Sequence, residues 1–125
     1  MKRRLILKKM KFRLGQKVSY KRISKKIEID MQYWTPDDFA EGDEEKILER
    51  RKFIELKKER TGYVMGRRNL VFKTHFGIER DSGDDWEPAT EWVEIKKQTK
   101  NFAYLVAYGM GQTNYVLEED LNKGN

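Results

Sequence analysis

A chain of 125 residues, 38% hydrophobic and 38% charged, supplies one hydrophobic core and not two. It contains no cysteine, which excludes a disulfide scaffold, a thiolate zinc site and a cysteine nucleophile, and fits a reducing cytoplasm. The net charge of +6 hides a division: residues 1–27 hold twelve Lys and Arg and no acid, so residues 28–125 carry the other 15 cations against all 21 carboxylates.

The N-terminus, Met1-Lys2-Arg3-Arg4-Leu5-Ile6-Leu7-Lys8-Lys9, starts like a signal peptide, but its apolar run of three residues is too short for the hydrophobic region of one. No other stretch approaches the length of a membrane span, so a cytoplasmic protein without membrane contact is expected. In residues 10–20, apolar side chains fall at Met10, Phe12, Leu14, Val18 and Tyr20 with Gly15 between them. This period of two predicts a strand, a turn at Gly15 and a second strand. Ile23, Ile27 and Ile29 extend the second strand, with Lys and Arg on its outer face.

Thr35-Pro36-Asp37-Asp38 has the order of a helix start: a capping hydroxyl, proline at the first helical position, then carboxylates at the positive end of the dipole. Gly42 ends that turn, and Asp43-Glu44-Glu45 begins a helix expected over about residues 43–52. Ile47, Leu48, Phe53, Ile54 and Leu56 make only a weak helical stripe, and Phe53, Glu55 and Lys57 equally fit the start of a strand.

Strand signals dominate after Arg60. Thr61–Gly66 and Leu70–Phe72 are two apolar runs separated by Arg67-Arg68-Asn69. Residues 79–88 are a polar loop rich in turn formers. Trp92, Val93 and Ile95 suggest another strand, and Phe102–Tyr108, apolar on both faces, a central one. Gly109–Asn114 turns the chain into Tyr115-Val116-Leu117, and Glu118–Leu121 closes it. Five to six short strands with one helical insertion, at about residues 35–58, make the expected fold mainly β: a single domain, residues 1–125, built as a small, curved antiparallel barrel.

Three segments resemble a known group. Phe12-Arg13-Leu14-Gly15-Gln16-Lys17-Val18 resembles the opening strand and turn of Src-homology-3-like barrels. Arg60–Arg68 resembles a strand of small proteins encoded by bacteriophages of Gram-positive hosts, and Tyr104–Ala107 with Tyr115–Leu121 resembles their closing strands. The resemblance covers about residues 10–20 and 60–121; it implies a Src-homology-3-like barrel and a phage or prophage origin, and carries over no residue of known function.

The expected interface is basic. Lys8, Lys9, Lys11, Arg13, Lys17, Lys21, Arg22, Lys25 and Lys26 on two adjacent strands would form a stripe able to displace counterions from a phosphate backbone. Tyr20 and Tyr33 would offer rings for bases. The alternative is that this arm pairs with the chain's own acidic residues. Arg67 and Arg68 either extend the stripe or form the exposed end of a hairpin. Glu79, Asp81, Asp84, Asp85 and Glu87 lack calcium-loop spacing and read as a solvated hairpin tip, or, with Trp86 exposed and Trp34 nearby in character, as a protein-docking surface.

No catalytic pattern stands out. His75 is the only histidine and has no cysteine or nucleophile-elbow serine to accompany it, so a structural role is expected, with no metal and no cofactor. Phe102, Tyr104 and Tyr108 form an evenly spaced row that reads as barrel core before it reads as a stacking platform. The expected function is a non-enzymatic module contacting nucleic acid or a nucleoprotein. The alternative is a phage-encoded inhibitor of a host protein such as a defence nuclease, in the manner of an anti-CRISPR protein. A virion assembly component is third.

Overall fold

The computed structural model describes residues 10–28, 34–39 and 45–124. The fold is mainly β, a six-stranded antiparallel sheet: β1 (Lys17–Lys26), β2 (Glu45–Glu49), β3 (Arg51–Asp81), β4 (Thr90–Gly109), β5 (Gln112–Leu117) and β6 (Leu121–Lys123). Hydrogen-bonded neighbours run β2-β3-β4-β5-β1-β6, and β1 additionally pairs with β3. Single 3₁₀ turns occupy Pro36–Asp38 and Glu118–Asp120.

The chain forms two compact units. The first contains the residues up to Ile23, Glu55–Arg68 and those from Ala103 onward; the second contains Ser24–Ile54 and Asn69–Phe102. In the first unit β6 pairs with β1 in the register Val18↔Lys123 and Tyr20↔Leu121. There β5 pairs with β4 from Ala103↔Leu117 to Ala107↔Thr113, followed by an irregularity before Gly109. In the second unit β2 pairs with β3 from Glu45↔Gly77 to Glu49↔Lys73.

The two units differ in what they bury. Phe12, Val18, Tyr20, Ile23, Val64, Ala103, Tyr104, Val106, Val116, Leu117 and Leu121 are buried apolar residues, all in the first unit. Each fully buried side chain of this size contributes about 1.5–3 kcal/mol relative to exposure. Among the described residues of the second unit the buried ones are Phe39, Gly77 and the polar Ser24, Thr74 and His75, while Ile47, Phe53, Trp92 and Ile95 are exposed.

Several elements depart from the sequence expectation. The helix expected over about residues 43–52 is replaced by strand from Glu45 onward; residues 43 and 44, like Gly42, lie outside the described residues. Glu, Lys, Ile and Leu favour helix only by tenths of a kcal/mol, and pairing with a segment nearly thirty residues away overrides that preference. Residues 10–16 form no strand: the Lys11 and Phe12 N–H groups donate to the Tyr104 hydroxyl instead of to a sheet partner. Arg67-Arg68-Asn69 does not divide two strands or end a hairpin, because β3 runs unbroken through it. Likewise β4 joins the two runs around Trp92 and Phe102 into one strand. The 3₁₀ turn at Pro36–Asp38 stands where the helix start was read, although the Thr35 hydroxyl and N–H both donate to the Asp38 carboxylate, at 3.2 and 2.6 Å. The polar loop connects β3 to β4, but over residues 82–89 and not 79–88, because Glu79–Asp81 continue β3.

Candidate functional site

Residues 10–16 are joined to β4 through one hydroxyl and to β3 through backbone bonds. Tyr104 is buried in β4, and its oxygen accepts from the Lys11 N–H at 3.0 Å and the Phe12 N–H at 3.4 Å while donating to Glu118 Oε2 at 3.0 Å. The Phe12 ring meets the Tyr104 ring edge-on at 5.6 Å. Beyond Phe12 the chain turns at Gly15, whose φ of 80° is one that L side chains rarely adopt. Gln16 fastens the turn from both ends: its side-chain carbonyl accepts from the Arg13 N–H and its own N–H donates to the Arg13 carbonyl. The Gly15 N–H then donates to the Val64 carbonyl at 2.7 Å, and the Val64 N–H donates to the Gln16 carbonyl at 3.0 Å, so the turn is stitched to β3.

The result is a concavity of about 590 Å³ lined by Lys11, Arg13, Leu14, Gly15, Gln16 and Lys123. Lys123 arrives there because β6 pairs with the start of β1. Lys17 and Lys21 follow on β1 and are exposed. Among the described residues, none of Lys11, Arg13, Lys17, Lys21 and Lys123 forms a salt bridge with a carboxylate, whereas Arg22, Lys73, Arg80 and Lys96 each do. The described residues of the first unit hold eleven Lys and Arg against five Asp and Glu, so the excess positive charge sits in the unit that holds this concavity.

The expected stripe is only partly assembled. Lys8 and Lys9 lie outside the described residues, as does Tyr33. Arg22 leaves the stripe: its Nε donates to Asp120 at 3.0 Å and its Nη2 lies 3.5 Å from Glu119, so here the chain does neutralise its own cation. Lys25 and Lys26 are exposed but belong to the second unit. Arg67 is half-buried within β3, and its neighbour Arg68 is exposed. Tyr20 offers no stacking surface because it is fully buried. Its hydroxyl donates to Asn114 Oδ1 at 3.0 Å, and burial, partly offset by the Arg60 guanidinium, pushes its pKa from 10.0 up to about 12.

Of the aromatic row, Tyr104 is core as expected, but Phe102 is exposed and Tyr108 half-buried. Tyr108 lines a second, smaller concavity of about 280 Å³ with Gly62, Tyr63 and Met110. The Arg60 guanidinium lies over the Tyr108 ring, 4.1 Å from its centre, and donates to Asn114 Oδ1 at 2.9 Å.

In the second unit Trp34 is half-buried edge-on against Phe76, with Lys46 over its ring. The tip loop is fixed by Asp84, whose Oδ1 accepts from the Trp86 and Glu87 N–H groups at 2.8 and 2.7 Å; these bonds hold its carboxyl below the ordinary range. Asp85 is exposed, and Trp86 stands 93% exposed. His75, buried in β3, places Nδ1 against the Glu45 carboxylate on β2 and Nε2 at 3.0 Å from the Thr99 hydroxyl on β4. This hydroxyl–imidazole–carboxylate order matches that of a nucleophile triad. None of the three residues lines either concavity, and the chain of bonds ties three neighbouring strands.

Sequence reasoning missed Lys123, the Tyr104 anchor and the Tyr63–Tyr108 cleft. Lys123 lies in the acidic part of the sequence, and only strand pairing brings it to the N-terminal cations. Among the described residues no helix is long and apolar enough to cross a membrane. No protein-family model, curated protein or solved structure matches the chain.

Proposed function

We propose that the chain is a non-enzymatic, small-barrel module that binds nucleic acid through the cationic concavity of its first unit. The observation that carries this reading is the convergence of Lys11, Arg13 and Lys123, from opposite ends of the chain, on one concavity whose lining holds no carboxylate. Cations gathered on a concave surface are available to neutralise phosphates and release counterions. The barrel geometry is supported by the pairings β3–β4, β4–β5 and β5–β1, which return to β3 through the β1–β3 pairing. A phage origin rests on the resemblance of residues 10–20 and 60–121 alone.

The test is fluorescence anisotropy with labelled oligonucleotides over a range of salt. The expected result is binding whose affinity falls as salt rises, with a slope set by the phosphates neutralised, and near-complete loss in a Lys11→Glu/Arg13→Glu/Lys123→Glu variant that keeps its circular dichroism. Binding that ignores salt, or a charge-reversed variant that binds as well, overturns it.

A second reading is favoured by the second unit. Its exposed Ile47, Phe53, Trp92 and Ile95, its largely polar buried residues and the exposed Trp86 are features of a protein-docking surface. In that reading the chain is an inhibitor that binds a host protein, such as a defence nuclease. A partner captured from host lysate that survives nuclease treatment, and is lost on Trp86→Ala, supports it over the first.

A further inference from the structure

We infer that the cleft between Tyr63 and Tyr108 receives a nucleobase, which makes the ligand a single-stranded nucleic acid; this rests on the nucleic-acid reading above and specifies it. The cleft lies in the first unit, has a volume of about 280 Å³ and presents no charged side chain in its lining. Tyr63 is 52% exposed and Met110 fully so, and both line the cleft. Tyr108 is held still by the Arg60 guanidinium over its ring, and Arg60 is in turn held by Asn114. An exposed tyrosine ring at the mouth of an uncharged cleft is a platform on which a base stacks without sequence preference.

Cations in the same unit favour a nucleic acid over another flat ligand. Tyr63 and Val64 are adjacent on β3, and Val64 makes both hydrogen bonds to the Gly15–Gln16 turn that lines the cationic concavity. A phosphate at Arg13 and a base beside Tyr63 are therefore served by directly bonded segments of one unit. Paired bases are stacked within their own duplex and present only edges, so a cleft of this kind accepts an unpaired base.

The experiment compares labelled oligo-dT, oligo-U, a duplex of equal length and an abasic strand with the same phosphates, at one salt concentration. Wild type should bind dT or U strands more tightly than the duplex and the abasic strand. Tyr63→Ala should weaken single-strand binding about five- to a hundredfold, Tyr63→Phe should restore it, and the salt slope should not change. Whichever of the dT and U strands binds more tightly identifies the source of the strand. If Tyr63→Ala binds as wild type does, or the abasic strand binds as well as the others, base stacking is overturned while phosphate binding stands. If wild type binds none of the four, both readings fall.

Discussion

The backbone N–H of Lys11 donates to the hydroxyl of Tyr104 at 3.0 Å, across 93 residues of sequence. That bond and its companion from Phe12 join the two bonds between the Gly15–Gln16 turn and Val64 in holding a cationic segment without a strand of its own onto the sheet. Tyr104→Phe keeps the ring and its contact with Phe12 but strands two N–H groups and the Glu118 carboxylate. The expected cost is about 1–3 kcal/mol. Amide exchange should show the loss of protection concentrated at Lys11 and Phe12, and oligonucleotide affinity should fall even where the fold persists. Unchanged protection at Phe12 would show that the hydroxyl is not the anchor.

Tyr20 gives a pH dependence with a definite sign. Its pKa is about 12 in the folded chain against 10.0 ordinarily, so the native state keeps a proton that the unfolded state releases. Its contribution to stability is therefore whole below pH 10 and is lost as pH rises from about 10 to about 12. Tyr20→Phe removes the hydrogen bond to Asn114 and should cost about 1 kcal/mol at neutral pH. The gap between wild type and variant should then narrow through that alkaline window, as measured by urea titrations at several pH values. A gap that stays constant with pH contradicts this.

Gly62 sets how closely β3 approaches β4. A Cβ there would come within 2.5 Å of the Ala107 carbonyl oxygen and 2.7 Å of Val106 Cγ1. Gly62→Ala should destabilise by about 1–3 kcal/mol through overpacking, read as a lowered Tm, and should disturb the Tyr63–Tyr108 cleft. Gly66→Ala on the same strand meets nothing within 4 Å and serves as the control, with stability near wild type.

His75 should hold the second unit together. With both ring nitrogens engaged, His75→Ala leaves Glu45 and Thr99 without a shared partner and opens space in β3. A loss of about 1–3 kcal/mol is expected. Exchange should rise first in Glu45–Glu49, with the amides of Tyr104 and Val106 keeping their protection. Uniform loss across both units would contradict a local role.

Local signals were the legible ones. Gly15 marks a turn, Thr35-Pro36-Asp37-Asp38 a helical turn and residues 82–88 of the expected loop a hairpin tip, because each depends on neighbours within four or five residues. The mainly β class was legible from repeated apolar alternation. The strand at Glu45–Glu49 was not, since its residues are good helix formers and its β character comes from pairing with Lys73–Gly77. The length of β3 was hidden by Arg67-Arg68-Asn69, a polar interruption that the strand simply crosses. The site was half legible: Lys11, Arg13 and Lys17 came from the charge run, whereas Arg22 was already spent on Asp120 and Lys123 joined only through register. Tyr20, expected to offer a ring for bases, is buried, because alternation does not say which tyrosine faces inward.

The most direct test of the whole account is the salt dependence of single-strand binding by wild type and by the Lys11→Glu/Arg13→Glu/Lys123→Glu variant. The account predicts a linear fall of log affinity with log salt for wild type, about 0.7 per phosphate neutralised, and no measurable binding by the variant. Equal affinity of the two proteins, or a flat salt profile, would contradict it.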